Sequence, residues 1–308
     1  MKVRKLNVYN GKVDTGVSNE YPTSSDTFRQ PCLHFIVGQR LSGKSYLTSK
    51  ILEQAHKDKV FDIVYLITPS FNSNKAYFGK YVQEENVLNP TKDSIGEVIR
   101  RVEQDRDDFE QYLKDKELYK KYQKDIHRPT FHLQDGMQLM TYLDRGFFER
   151  PPKWKYQKQE PPKSLLILDD VLGSPAIMKS SGLTRIATLN RHIAPLKETH
   201  SGRSACGLAV IILCQTYRMN DGIGRCLREN VSVLTLFKNK QEKQLAAIKE
   251  ELANVIDTDL FDQAYAYATN DKYGNLSVDF NPKCSSKVFR KNLNEIILFD
   301  SLKCTCQS

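Results

Sequence analysis

The sequence predicts an α/β fold: a mostly parallel sheet with helices on both faces, a charged helical insertion and a C-terminal β-hairpin. Three observations predict it. Short, almost uninterrupted apolar runs recur along the chain, as strands buried on both faces require. Stretches with apolar residues at helical spacing separate those runs. Gly, Pro, Asp and Asn bound them, marking where each element stops. Strands alternating with helices make a parallel sheet the economical arrangement.

The elements follow in order. Residues 1–30 are polar, with Ser, Thr and Asn clusters, and read as an N-terminal arm. The main domain is expected over 31–300. Its first strand is Leu33-His-Phe-Ile-Val37, which ends at a glycine-containing loop. A helix opens at Gly43, with Tyr46, Leu47, Ile51 and Leu52 on one face. Phe61-Asp-Ile-Val-Tyr-Leu-Ile67 is rich in β-branched and aromatic residues and reads as a second buried strand.

The insertion covers about residues 72–162. Ile95, Val98, Ile99, Val102, Phe109, Tyr112 and Leu113 stripe a long helix whose other faces are charged. The proline-bounded, basic and aromatic stretch 150–162 reads as a mobile connector, with a DNA-touching loop as the alternative. Strand character returns at Ser164–Asp170 and again at Leu208–Cys214 and Val231–Phe237, with a polar insertion at Lys197–Ser204. Tyr265-Ala-Tyr-Ala and Leu276–Phe280 flank Asn270–Asn275 and are expected to pair as the late hairpin. Residues 301–308 form a tail.

Composition narrows the function classes. The chain has 308 residues, 40% hydrophobic and 27% charged, which is globular composition. No apolar run approaches the ~18 residues of a membrane span. Seven scattered cysteines read as reduced thiols rather than a disulfide framework. The formal net charge of +9 suits a polyanionic partner such as nucleic acid.

One motif carries the chemistry. Gly38-Gln39-Arg40-Leu41-Ser42-Gly43-Lys44-Ser45 fits G-x-x-x-x-G-K-[ST] at every fixed position, between a strand and a helix. Glycines let the backbone wrap phosphate oxygens, and loop N–H groups and the helix N-terminus present positive dipoles to them. Lys44 would reach the β- and γ-phosphates of ATP, and the Ser45 hydroxyl would ligate Mg²⁺. The apolar strand Leu165–Leu168 ends on Asp169 and Asp170. Asp169 would hold Mg²⁺ through its water shell, and Asp170 would orient or deprotonate the attacking water. Gln215, just past a second apolar run, is placed to sense the γ-phosphate.

These elements together resemble the FtsK–HerA superfamily of DNA-pumping ATPases. Within it they are most similar to the genome-packaging ATPases of poxviruses, other large DNA viruses and virophages. The matching residues are Gly38–Ser45, Leu165–Asp170, Asn190-Arg191-His192, Val210–Tyr217 and Leu227–Lys238. The resemblance implies a P-loop sheet of the ASCE, RecA-like kind, with one strand between the P-loop strand and the Asp169 strand. It implies ATP hydrolysis coupled to packaging double-stranded DNA. It further implies a homo-oligomeric ring, pentamer or hexamer, with sites between subunits, viral capsid proteins as partners, and work in the host cytoplasm at the viral assembly site and in the virion. An arginine ahead of the glutamine strand acts in trans in such rings, and Arg191 holds that place. Here Ile193–Gly207 intervenes and carries Arg203, so Arg203 and Arg228 stand as alternatives. Two other function classes compete: a small-molecule kinase with the same P-loop, and a non-catalytic DNA binder using ATP structurally.

Overall fold

The computed structural model describes residues 17–128, 131, 136–171, 173–217, 222–239, 242–253 and 255–302. Most of the N-terminal arm and the tail with Cys304 and Cys306 lie outside them. The core is a nine-stranded sheet. In chain order its strands are β1 (Leu33–Val37), β2 (Ile63–Ile67), β3 (Val87–Leu88), β4 (Ser164–Asp169), β7 (Leu208–Cys214), β8 (Val233–Phe237), β9 (Asn275–Asp279), β10 (Phe289–Lys291) and β11 (Glu295–Ile297). Two further strands, β5 (Pro195–His200) and β6 (Arg203–Ala205), form a separate antiparallel hairpin where a polar insertion was expected. Across the large sheet the order is β11-β10-β9-β8-β1-β7-β4-β2-β3. The six strands from β8 to β3 are parallel, and β9, β10 and β11 add an antiparallel edge.

Strand alternation divides the core between the two faces. Leu33, Phe35 and Val37 of β1 pack with Leu166 and Leu168 of β4 and Val210 and Ile212 of β7. The intervening Ile36, Leu165, Ile167, Ala209, Ile211 and Leu213 face the other way. The first face is covered by Val98, Ile99 and Val102 of α3 (Ser94–Ile126) and by Leu183 and Ile186 of α6 (Ser181–Leu189). The second is covered by Leu47 and Leu52 of α1 (Lys44–Lys57) and Phe78 of α2 (Phe71–Phe78). Both faces are therefore dry, which is why these strands read as unbroken apolar runs.

Four expectations change. Tyr265–Ala268 is not a strand but the last turn of α9 (Thr258–Ala268), whose buried Phe261, Ala264, Tyr265 and Ala268 recur at helical spacing. The C-terminal hairpin is instead β10–β11. Tyr46 faces away from the α1 core and is 58% exposed. The 150–162 connector is pinned rather than loose. Trp154 is buried against Phe109 and Tyr112 of α3. Lys155 pairs with Asp105 and Asp108, and the Tyr156 hydroxyl donates to Asp105. Cys32, Cys206, Cys214 and Cys226 are free, as expected, but Cys284 is disulfide-bonded.

Candidate active site

Parallel pairing brings the ends of three strands to one edge of the sheet. Val37 is level with Cys214, and Asp169 with Leu213, so the residues that follow β1, β4 and β7 meet there. This edge lies at the carboxyl ends of the strands, the position of ligand crevices in open α/β sheets. One strand, β7, separates β1 from β4. That is the spacing the resemblance implies, and with strand, loop and helix in sequence it makes this a P-loop fold.

Two glycines allow the Gly38–Ser45 loop to close. Gly43 holds φ of 103°, in the left-handed region, and opens α1. A Cβ on Gly38 would stand 2.4 Å from Ser42 Oγ and 2.9 Å from the Phe237 ring. Leu41 also takes a left-handed φ of 63°, and its side chain is exposed. Lys44 lies across the loop, donating to Gly38 O at 2.7 Å and Gln39 O at 3.0 Å. Burial pushes its ammonium below the ordinary lysine value, opposed by the nearby Asp169 and Asp170. Ser42 Oγ is buried and has no hydrogen-bond partner among the described residues.

The carboxylate pair is split between two environments. Asp169 is 5% exposed and accepts from Asn74 Nδ2 at 2.7 Å and Thr68 Oγ1 at 3.2 Å. Burial raises its carboxyl above the usual range, while the Thr68 donor, Lys44 and the Asn74 donor pull it down. A desolvated carboxylate beside a lysine, already oriented by two neutral donors, fits a divalent cation, whose charge would offset the desolvation. Asp170 is exposed, with φ of 53°, and accepts from Gln215 Nε2 at 2.9 Å. Thus Lys44, Asp169, Asp170 and Gln215 converge, and all four line a groove of about 1970 Å³ with Arg40–Ser45. Sequence reasoning missed Thr68 and Asn74. Thr68 directly follows the apolar β2 run, the same strand-end signal that singled out Gln215.

The arginines do not join this cluster. Arg203 is 2% exposed and donates to Pro161 O at 2.7 Å, Pro162 O at 3.0 Å and Cys206 O. Its guanidinium also covers the Tyr21 ring. Arg228 pairs with Glu251 at 3.0 Å and lies over Tyr217. Within one subunit both side chains are thus engaged in packing and pairing contacts. Arg191 sits in a short helical turn, Asn190–His192, at the opposite edge of the sheet. Its neighbour Asn190 donates to Leu208 O, at the start of β7. At ~3.3 Å per residue, β7 puts roughly 20 Å between that point and the P-loop edge. Among the described residues, the Arg191 side chain makes no hydrogen bond or ion pair.

No protein-family model matches the chain, and no curated protein matches it. Among solved structures it is similar to the genome-packaging NTPase B204 from Sulfolobus turreted icosahedral virus 2 in complex with ATP-gammaS. That likeness has 16% identity and a TM-score of 0.39, over 85% of this chain and 96% of that one. It is similar to B204 of Sulfolobus turreted icosahedral virus at 12% identity and a TM-score of 0.41, over 85% and 96%. The cytoplasmic domain of the Thermomonospora curvata Type VII secretion ATPase EccC matches at 15% identity and a TM-score of 0.33, over 69% and 21%. Likeness of this degree leaves function to the residues of the site.

Proposed function

We propose that the chain hydrolyses MgATP at the Gly38–Ser45 edge and uses the energy to move double-stranded DNA, as a subunit of a viral genome-packaging ring. One observation carries the reading. The P-loop, a buried carboxylate, an exposed carboxylate and a glutamine hydrogen-bonded to it meet at one sheet edge. A phosphate-binding loop alone would serve a kinase or a structural nucleotide site. The division of Asp169 from Asp170 favours hydrolysis, because one carboxylate is buried and oriented while the other is free to take a proton.

Each group then has a task. Loop N–H groups and Lys44 bind the phosphate chain and neutralise charge that develops on the γ-phosphoryl group. Ser45 and Asp169 would hold Mg²⁺, which screens the phosphate oxygens during transfer. Thr68 and Asn74 fix the Asp169 carboxylate. Asp170 accepts the proton of the attacking water, and Gln215, bonded to it, couples that base to the γ-phosphate position.

The DNA substrate is supported by the net charge of +9 and by the family resemblance. Of the lysines in the connector, Lys155 is committed to Asp105 and Asp108. Lys153 and Lys158 remain as phosphate contacts. Capsid proteins as partners, and work at the cytoplasmic assembly site and in the virion, rest on the resemblance.

The experiment is ATP turnover with and without duplex DNA, over a range of salt. Stimulation that weakens steeply as salt rises is expected. Turnover indifferent to DNA would turn the reading towards a kinase, and binding without turnover towards a structural nucleotide site.

A further inference from the structure

The γ-phosphate chemistry occupies one flank of the P-loop strand. Asp169 ends β4, Asp170 follows it and Gln215 follows β7, both strands lying on the same side of β1. The nucleoside must leave the loop in another direction. On the opposite flank stand β8 and β9. Because β9 runs antiparallel, its first residue, Asn275, is level with Phe237 at the carboxyl end of β8. The turn that enters β9 is thereby brought to the P-loop edge, and its tip carries Lys272 and Tyr273.

Tyr273 has three features of a binding residue. It is 58% exposed, although it belongs to a turn held on both sides. Its ring stands beside the loop: a Cβ on Gly43 would lie 3.7 Å from Tyr273 Cδ1. It also holds φ of 67°, a conformation that a bulky residue rarely adopts and that persists where the surroundings impose it. Those surroundings are visible. Asn275 Nδ2 donates to Tyr273 O at 3.3 Å and to Asn292 Oδ1 at 3.0 Å, tying the turn to the end of β10. Gly274 N donates to Asp271 O at 3.0 Å. Tyr273, Lys272, Asn275 and Asn292 line the same groove as Lys44 and Asp169. Lys272 Nζ stands 5.2 Å from the Tyr273 ring centroid, adding a cation on the nucleoside side of an anionic ligand.

We infer that Tyr273 is the platform on which the purine base of the nucleotide stacks. The proposal rests on the ATP reading above. It adds that binding is divided across β1, with the triphosphate gripped by Gly38–Ser45 and the base held by the α9–β9 turn. A ring face accepts any base, so the platform contributes affinity without choosing adenine over guanine.

The test is calorimetric binding of ATP, GTP and inorganic tripolyphosphate to the intact chain and its variants. Tyr273→Ala should weaken ATP and GTP by about tenfold or more, the usual range for losing one base–aromatic stack. Tripolyphosphate should bind as before. Tyr273→Phe and Tyr273→Trp should restore nucleotide affinity. Equal weakening of tripolyphosphate would mean that the turn merely supports the P-loop, and would overturn the proposal. So would loss of affinity in Tyr46→Ala or Tyr77→Ala with none in Tyr273→Ala, since Tyr46 and Tyr77 are also exposed rings of the groove. A wild-type chain that binds tripolyphosphate but no nucleotide would sink the ATP reading itself, which separates the two failures.

Discussion

Replacing Asp170 by Asn isolates the base from everything else in the site. The side chain is exposed and accepts from Gln215 Nε2 at 2.9 Å, to which an amide oxygen can still be presented. The backbone φ of 53° is one that Asn tolerates better than most residues. No packing is lost, so stability should change by less than ~0.5 kcal/mol, as for ordinary surface substitutions. For a chain of this size that is a shift in Tm of under about 2 °C. Turnover is another matter. Losing a positioned general base costs ~100-fold or more, equivalent to ~2.7 kcal/mol of transition-state stabilisation. Steady-state phosphate release, MgATP binding and a thermal melt on one preparation measure all three. The expected pattern is normal melting, normal binding and a rate lower by two orders of magnitude. Asp169→Asn should instead raise the Mg²⁺ concentration needed for half-maximal turnover. Wild-type turnover by Asp170→Asn would refute the assignment. Lost binding in Asp170→Asn with only a rate defect in Asp169→Asn would exchange the two roles.

Lys44→Ala should melt like the wild type without nucleotide but gain no stability when MgATP is added, because its ammonium hydrogen-bonds the loop carbonyls Gly38 O and Gln39 O rather than the core. Trp154→Ala should cost ~3–5 kcal/mol and make the 150–162 connector the first site cut in limited proteolysis, since that ring is the buried anchor of the segment. His34 predicts a pH dependence: it is buried, bonded to Thr235 Oγ1 at 2.8 Å, and burial pushes it down to about 3. An unfolded chain binds that proton near pH 6.5 and the folded chain does not, so stability should be full above ~6.5 and fall by up to ~1.4 kcal/mol per unit towards pH 3. Denaturant melts from pH 7.5 to 4.5 check it, and His34→Gln should flatten that part of the profile.

The parallel half of the sheet was legible because each strand is buried on both faces, so that Leu33–Val37, Leu165–Leu168 and Leu208–Cys214 carry almost no polar residue to obscure them. Asp169, Asp170 and Gln215 were legible for the same reason, as the first polar groups after such runs. The antiparallel edge was not. Phe289–Lys291 and Glu295–Ile297 are three-residue strands of mixed polarity, the first largely buried and the second partly exposed. In Tyr265–Ala268 the aromatic residues suggested a strand and outweighed the helical period running back to Phe261. The fate of Lys155 had no local signal at all, because its partners Asp105 and Asp108 lie on a helix about fifty positions earlier. Asn74 and Tyr273 were missed likewise: each reaches the site from a loop or helix end whose position only the assembled sheet determines.

Arg191 shows how that assembled sheet constrains the mechanism. The transition state of phosphoryl transfer gains from a cation beyond Lys44 and the metal. Within its own subunit Arg203 is buried on three carbonyls and Arg228 is paired with Glu251. Arg191 has no such commitment, but β7 runs between it and the P-loop of its own chain, roughly 20 Å. An arginine so placed could act only on the ATP of a second copy. The donor and acceptor surfaces lie at opposite ends of the same strands, so a head-to-tail contact would join them, and repetition of that contact closes a ring or extends a filament. Arg191→Ala and Lys44→Ala proteins should each be inactive alone. Mixed, they should recover part of the turnover, because some interfaces pair an intact P-loop with an intact arginine. The recovery should rise with protein concentration, as assembly does. An Arg191→Ala protein that hydrolyses ATP normally by itself would remove the trans arginine, and with it the reason for placing the active site between subunits.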